Sequence, residues 1–149
     1  TQFFGHIVRG EPIKLVDGGA QKRAFTYVDD GIAALMKIIA NENNVATGQI
    51  YNIGNPKNNY SVRELANMML ELAKAYPEYK KPAAKVKLVE TTSGAYYGKG
   101  YQDVQNRVPN IKNTMKDLDW KPKVNMKDAL KGIFDFYRQE LEEAKHLMD

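Results

Sequence analysis

Three basic side chains flank a paired-glycine turn near the amino end of the chain. The segment KLVDGGAQKRAF places Lys14 before Gly18–Gly19, and Lys22 with Arg23 after it. A tight turn of this kind can aim backbone amides and cationic side chains at a phosphate. Taken alone, the same segment also fits a solvated hairpin tip without a ligand. It is therefore a candidate anion site that needs a second, independent indication.

A second candidate is the aromatic segment YYGKGYQDVQNRVPNI, which runs from Tyr96 to Ile111. It fits no regular helix or strand, yet it holds three tyrosines and Arg107. Pro109 fixes the local backbone, and the residue before a proline favours extended geometry. Tyrosine rings pack flat on sugars and bases, and an arginine can bind a diphosphate or a carboxylate through two parallel hydrogen bonds. The segment predicts a loop that binds a ligand.

Other motifs that could carry chemistry are weak or absent. Tyr76 to Lys80, YPEYK, has the Tyr-x-x-x-Lys spacing of a catalytic pair, but Pro77 interrupts the helix face that such a pair must share. The chain has neither GxGxxG nor GxxxxGK[ST], so both nucleotide-binding fingerprints are missing. His6 and His146 have no further ligands at suitable spacing, which argues against a metal site.

The composition is that of an ordinary globular domain. The chain has 149 residues, 43% hydrophobic residues and a net charge of +4. It contains no cysteine, which excludes disulfides and thiolate chemistry and makes a cytoplasmic location the default expectation. No apolar run is long enough for a membrane span, and we expect no membrane partner. The positive charge also permits a small nucleic-acid-binding module, although it does not require one.

Helical and extended patterns alternate, which predicts a mixed α/β or α+β fold in a single domain over residues 1–149. The predicted strands are Pro12–Asp17, Ala24–Asp29, Thr47–Asn55 and Ala84–Thr91. The predicted helices are the later turns of an opening helix, one that follows Asp29 and Asp30, Ser61–Tyr76, a short one within Asn110–Trp120, and a long one over Asn125–Met148.

Capping residues predict where these helices begin and end, and the spacing of apolar residues predicts which side of a helix faces the core. Asp29 or Asp30 is expected to cap the second helix, whose stripe of Ile32, Leu35, Met36 and Ile39 is expected to lie in the core. Ser61 with Glu64 matches a capping box, Pro77 is expected to end that helix, and Asn125 with Asp128 marks the start of the last one.

Taken together, the motifs are similar to a known family. The ordered segments GGAQKRAFTYVDDGIAAL, GQIYNIGN, SVRELANMM and RVPNIKNTMKDLDWKPKVNMKDAL resemble the carboxyl half of extended short-chain dehydrogenases that act on nucleotide sugars. SGAYYGKGYQDVQNRVPNI is similar to the UDP-glucuronic acid decarboxylase branch, found as the dehydrogenase domain of bifunctional polymyxin-resistance enzymes. The resemblance covers nearly the whole chain. It implies the substrate-binding half of a Rossmann-type enzyme.

The resemblance implies a reaction and a set of residues. The longer enzyme would oxidise the sugar C4 hydroxyl with NAD⁺, and the resulting β-keto acid would lose CO₂. Arg107 would donate a proton to C5 or hold the carboxylate; arginine is a poor acid, which favours the second role at least equally. The UDP-sugar would contact Lys14, Asp17, Gly18, Gly19, Gln21, Lys22, Arg23 and Tyr101.

Several expectations follow for the protein as a whole. Ala20 stands where close relatives carry a lysine, so one cationic contact is expected to be lost. The NAD-binding loop and the catalytic Tyr-x-x-x-Lys are expected upstream of Thr1, in a longer, homo-oligomeric enzyme, and the fragment alone is expected to be inactive. A strand such as IYNIGN would join the sheet of the other half. The open alternatives are a UDP-sugar 4-epimerase or dehydratase, a stand-alone sugar-nucleotide-binding domain, and the nucleic-acid-binding module.

Overall fold

Short helices and strands alternate along the chain, as the hydrophobic periodicity predicts. The computed structural model describes residues 2–98 and 104–147. Their elements are α1 Gln2–Arg9, β1 Ile13–Val16, β2 Lys22–Ala24, α2 Val28–Ala40, β3 Asn59–Ser61, α3 Val62–Ala73, α4 Pro77–Ala83, β4 Leu88–Thr91, α5 Ser93–Tyr97, β5 Asn106–Arg107, α6 Lys112–Leu118, α7 Met126–Phe136 and α8 Leu141–Lys145. The mixed α/β class is confirmed.

The chain divides into two compact units. The first unit comprises the described parts of Thr1–Gln21, Ser61–Gln105 and Leu130–Asp149, and the second comprises Lys22–Tyr60 and Asn106–Ala129. In the first unit β1 pairs in parallel with β4, from Ile13 opposite Leu88 to Val16 opposite Thr91. The other sheet has the strand order β3–β2–β5, and β2 and β5 are parallel.

An aromatic cluster forms much of the core of the first unit. The rings of Phe4, Tyr79 and Phe134 are fully buried and meet edge to face, with centroids 4.9–5.3 Å apart. The Tyr79 hydroxyl donates to the Phe134 carbonyl at 2.9 Å. Tyr76 joins the cluster and donates to Asp135 at 2.7 Å. Buried hydroxyls with partners let tyrosines serve as core residues without a desolvation penalty.

The second unit is built around Trp120. Ala34, Ile111, Leu118 and Trp120 form its buried cluster, and Ile38, Ala46, Tyr51 and Ile53 pack against it. The Trp120 indole donates to the Asp30 carbonyl at 3.0 Å. The Asp30 carboxylate, itself buried, accepts the amides of Lys123 and Val124 at 3.0 Å. One acidic residue of α2 therefore holds the connection between α6 and α7 in place.

Several local predictions are confirmed. The Ser61 side chain accepts the Glu64 amide at 3.1 Å, and the Glu64 carboxylate accepts the Ser61 amide at 2.6 Å, so α3 begins with a complete capping box. Asn125 accepts the Asp128 amide at 3.0 Å where α7 begins. β1, α1 and α6 lie within the predicted segments.

Other boundaries were predicted wrongly. Neither Asp29 nor Asp30 caps α2, because both lie inside its first turn. A carboxylate at that position still interacts favourably with the helix dipole. The strand predicted over Ala24–Asp29 is β2 at Lys22–Ala24, because only Lys22 and Arg23 have partners in β5. Pro77 begins α4 instead of simply ending α3, since proline suits the first helical position.

The long carboxyl-terminal helix was also predicted wrongly. The described part of the predicted helix, residues 125–147, contains two helices, α7 and α8, with the break after Phe136. Side chains near α4 hold both sides of this break. Before it, Asp135 accepts a hydrogen bond from Tyr76, which immediately precedes α4. After it, Arg138 donates to Glu78 of α4 at 2.8 Å. The strand predicted over Ala84–Thr91 is also shorter than expected: β4 runs only from Leu88 to Thr91, and residues 84–87 connect it to α4.

The apolar stripe of α2 does not lie in the core. Ile32, Leu35, Met36 and Ile39 are between 50% and 74% exposed, whereas the small Ala34 is fully buried on another side of the helix. The segment Thr47–Asn55, predicted to be a strand, has no strand partner among the described residues and forms none. Both errors concern the second unit, where the described chain leaves the α2 stripe uncovered and offers no neighbouring strand to Thr47–Asn55.

Candidate functional site

The paired-glycine turn follows β1 directly in the first unit. Lys14 is exposed on β1, while its neighbours Ile13 and Leu15 are fully buried. Asp17, Gly18 and Gly19 form a 3₁₀ turn in which all three have positive φ angles of 46°, 71° and 69°. The alternation along β1 thus directs the Lys14 side chain to solvent.

The turn is held by side chains and amides of the same unit. Arg63 donates from Nε to the Gly18 carbonyl at 2.7 Å and also pairs with Glu90. Asp17 Oδ1 accepts the Ser93 amide at 2.9 Å. The Asp17 carboxylate therefore has a structural contact in addition to any contact with a ligand.

Arg63 was missed in the sequence. It lies in the first turn of α3, between Ser61 and Glu64 of the capping box, where a cation interacts unfavourably with the helix dipole. A basic residue at such a position is a signal for a specific partner. The partner here is the carbonyl of the glycine turn, so Arg63 positions the backbone of the candidate anion site.

Gln21 follows the glycine turn in the first unit. It is 8% exposed, and its carbonyl accepts the Val62 amide at 3.1 Å. Its side-chain Oε1 is buried and has no hydrogen-bond partner among the described residues. A buried acceptor without a donor is costly, which makes Gln21 a candidate contact for a donor group on a ligand.

The two glycines of the turn differ in how much space surrounds them, and this difference gives a testable prediction. A Cβ on Gly19 would lie 3.0 Å from the Arg63 amide nitrogen, whereas a Cβ on Gly18 would have no neighbour nearer than 3.7 Å. Gly18→Ala is expected to cost about 1 kcal/mol from backbone strain alone. Gly19→Ala is expected to cost about 2–3 kcal/mol, because a steric conflict with backbone adds to the strain. Urea unfolding of both variants checks the difference, and equal costs would contradict it.

The second unit carries the remaining basic residues on paired strands. β2 and β5 are in register, so that Lys22 lies opposite Asn106 and Arg23 lies opposite Arg107. Side chains of directly paired residues project from the same face of a sheet, and successive residues from opposite faces. Arg23 and Arg107 therefore share a face, and Lys22 projects from the other.

The paired arginines are the main electrostatic feature of this strand pair. Arg107 is exposed and Arg23 is half-buried, with its Nη1 donating to the Lys22 carbonyl at 2.7 Å. Like charges directly opposite one another across two strands are destabilising unless an anion lies between them. Two guanidinium groups in this arrangement suit a diphosphate or a carboxylate.

The aromatic segment is described only in part. Tyr96 and Tyr97 belong to α5 and meet edge to face at 4.7 Å, and both are at least 41% exposed. The expectation that the segment contains neither helix nor strand was therefore wrong in two places: α5 reaches its start, and β5 lies at Asn106–Arg107. Tyr101 lies outside the described residues.

The remaining motifs do not form a site. Burial raises the pKa of Tyr76 to about 12, and the hydrogen bond to Asp135 acts in the same direction. A tyrosine base needs the opposite shift, so the Tyr76–Lys80 spacing is structural. Within residues 2–98 and 104–147, no cluster of three or more histidines and acidic residues is arranged to hold a metal, and no helix has the length and apolarity to cross a bilayer.

Comparison with known proteins identifies similar sequences and folds. The profile of the NAD dependent epimerase/dehydratase family matches residues 1–54. The crystal structure of PbgP3 protein from Burkholderia pseudomallei is 60% identical, with a TM-score of 0.88 over 99% of this chain. This chain spans 40% of the PbgP3 chain.

More distant structures share the fold. A UDP-glucuronic acid 4-epimerase from Bacillus cereus, in complex with UDP-glucuronic acid and NAD, is 21% identical with a TM-score of 0.70, over 93% of this chain and 39% of its own. A UDP-glucose 4-epimerase from Thermotoga maritima, with UDP-glucose, is 24% identical with a TM-score of 0.67, over 93% of this chain and 38% of its own. At these identities the comparison establishes the fold alone.

Proposed function

Because the chain belongs to the NAD-dependent epimerase/dehydratase family, we propose that it forms the UDP-sugar-binding part of an NAD-dependent UDP-glucuronate decarboxylase. The observation that carries the proposal is the pair Arg23 and Arg107, which lie opposite one another on parallel strands. UDP-glucuronate has both a diphosphate and a carboxylate. A site with neighbouring guanidinium groups suits such a doubly anionic ligand.

The residues of this chain do not fit an NAD site. A dinucleotide site needs a glycine-rich turn that leads from a strand into a helix, so that the helix amino terminus faces the pyrophosphate. The turn at Asp17–Gly19 leads from β1 into β2, and the chain has no GxGxxG. In the proposed enzyme NAD, which accepts the hydride from the sugar C4 hydroxyl, is bound by a part of the protein outside this chain.

The residues present would bind and orient the nucleotide sugar. Lys14, exposed on β1, and the turn at Asp17–Gly19 would contact the UDP moiety together with Gln21 and Arg23. Lys22 projects from the face of β2 opposite to Arg23, so it would contact the UDP moiety from the other side of the strand. Arg107 would hold the sugar carboxylate, and it would stabilise the negative charge that develops when CO₂ leaves. Tyr101 completes the proposed binding set.

The test is an assay of a chimera in which this chain replaces the matching part of PbgP3. The chimera is incubated with NAD⁺ and UDP-glucuronate, beside PbgP3 itself, and products are identified by mass spectrometry. We expect NADH, CO₂ and a UDP-4-keto-pentose. A C4 epimer would identify an epimerase, and loss of water a dehydratase. No turnover by the chimera, with an active PbgP3, would reject the proposal.

The second function considered, nucleic-acid binding, rests on net charge alone. It predicts binding of single-stranded RNA or DNA that weakens steeply as salt is added, because bound phosphates release counterions. We expect no such binding at low salt. The experiment uses the chain itself and is independent of the chimera.

A further inference from the structure

Tyr60 lies in the middle of β3, the strand on the other side of β2 from β5. The sheet has the strand order β3–β2–β5. The Phe25 amide, just after β2, donates to the Asn58 carbonyl, just before β3, at 3.0 Å. The end of one strand thus meets the start of the other, so β2 and β3 run in opposite directions. Counting back from this pair places Tyr60 opposite Arg23.

A hydrogen bond on the other face of the sheet supports this placement independently. Asn59 donates from Nδ2 to Oδ1 of Asn106 at 3.3 Å, so these two side chains lie on the same face. Successive residues of a strand project from opposite faces. Tyr60 follows Asn59 and Arg107 follows Asn106, so both project from the face opposite to the two asparagines. Arg23 shares that face, because it is directly paired with Arg107.

The row that Tyr60, Arg23 and Arg107 form across three strands includes a hydroxyl group without a protein partner. Tyr60 is half-buried, and within residues 2–98 and 104–147 its hydroxyl makes no hydrogen bond. By contrast, the hydroxyl of Tyr76 donates to Asp135 and that of Tyr79 to the Phe134 carbonyl. A phenol O–H beside two guanidinium groups can donate to the anion that those groups attract.

The position of Tyr60 in the row indicates which part of the ligand it meets. Neighbouring strands lie about 4.8 Å apart, so β3 is roughly 10 Å from β5, with β2 between them. In the proposed function Arg107 holds the sugar carboxylate and Arg23 contacts the UDP moiety. Tyr60 lies on the far side of Arg23, nearest to the diphosphate and furthest from the carboxylate.

We propose that the Tyr60 hydroxyl donates a hydrogen bond to the diphosphate of the nucleotide sugar, beside the guanidinium group of Arg23. A charged acceptor makes such a bond stronger than one between neutral groups. Tyr60 binds the nucleotide and takes no part in the chemical steps, so it sets the affinity for UDP and leaves the identity of the product unchanged. The inference deepens the proposed function, and it rests on the assignment of this face to the UDP-sugar.

Calorimetric titration of the PbgP3 chimera with UDP and with UDP-glucuronate, both without added NAD⁺, tests the proposal. Tyr60→Phe removes the hydroxyl and keeps the ring, so the packing of the strand is retained. It is expected to weaken the binding of both ligands at least about tenfold and by the same factor, because both contain the diphosphate. Arg107→Ala, in contrast, is expected to weaken the binding of UDP-glucuronate more than that of UDP, which has no carboxylate.

Tyr51→Phe is the matched control. It removes another hydroxyl of the second unit, one that donates to the Val45 carbonyl at 3.0 Å, and it is expected to leave both affinities unchanged. An unchanged UDP affinity in Tyr60→Phe would overturn the proposal. A loss of affinity confined to UDP-glucuronate would overturn it as well, because it would place Tyr60 at the carboxylate.

These titrations need no turnover, so their outcome can be separated from that of the proposed function. A chimera whose UDP affinity depends on the Tyr60 hydroxyl, but which releases no CO₂ from UDP-glucuronate, would support the inference and reject the proposed function. A chimera that decarboxylates UDP-glucuronate, and whose UDP affinity is the same with and without Tyr60→Phe, would reject the inference alone.

Discussion

Asp30→Ala is expected to lower the free energy of unfolding of the second unit by about 2–4 kcal/mol, because it removes two hydrogen bonds to a charged acceptor. The buried carboxylate accepts the amides of Lys123 and Val124 at 3.0 Å, and no water can readily replace it at 6% exposure. Trp120, the only tryptophan, donates to the Asp30 carbonyl and lies in the same cluster. Its fluorescence during urea unfolding therefore reports on the region that the substitution affects.

Asp29→Ala is the matched control. Asp29 lies in the same first turn of α2 but is exposed, so its loss removes only the favourable interaction with the helix dipole. We expect a change of about 0.3–1 kcal/mol. Asp30→Asn keeps the shape of the side chain and one acceptor oxygen. Its change in the free energy of unfolding should lie between those of the two alanine variants. Equal destabilisation by Asp29→Ala and Asp30→Ala would contradict the structural role of the Asp30 carboxylate.

Features that depend on neighbours in the sequence were predicted well. The capping box at Ser61 and Glu64 satisfies two amides within one turn of helix, so its pattern is sufficient evidence for its geometry. The start of α7 at Asn125 and Asp128 has the same local origin. β1 was found because its apolar residues are bounded by a proline and a glycine turn.

Features that depend on distant partners were predicted poorly. The spacing of Ile32, Leu35, Met36 and Ile39 identified an amphipathic helix, but it could not tell which structure covers the apolar face. In the same way, the alternation in Thr47–Asn55 is real, yet a strand forms only beside another strand. Aspartate is a residue type that commonly caps helices, which is why Asp30 was predicted to do so. Its actual role, a buried acceptor, depends on the distant amides of Lys123 and Val124.

The candidate site shows the same division. The basic residues around Gly18 and Gly19 could be identified from their types, and the positive φ angles of the turn agree with the glycines. The register that places Arg23 opposite Arg107 could not be predicted, because 83 positions separate them in the sequence. Arg63 was missed because both of its partners, the Gly18 carbonyl and Glu90, are distant in the sequence, and its only local signal is its position in the first turn of α3.

Arg107→Ala in the PbgP3 chimera is expected to lower kcat by about 100- to 1,000-fold, the usual effect of removing one group that stabilises developing charge. The folded structure should hardly change. Arg107 is exposed on a two-residue strand, and substitutions at such positions usually alter the free energy of unfolding by less than about 0.5 kcal/mol. Steady-state kinetics and urea unfolding of the same preparation check both expectations. An unchanged kcat would exclude a catalytic role for this side chain.

Two further variants distinguish what Arg107 does. Arg138→Ala removes another exposed arginine, paired with Glu78, and should leave kcat unchanged. Arg107→Lys retains the charge but loses the two parallel hydrogen bonds that a guanidinium makes with a carboxylate. If Arg107 orients the sugar carboxylate, lysine should restore little activity and raise KM. If it donates the proton to C5, lysine is the stronger acid and should restore more activity, with a new ionisation in the pH profile of kcat. The register that places Arg107 opposite Arg23 favours the orienting role, because a bidentate contact depends on geometry more than on acidity.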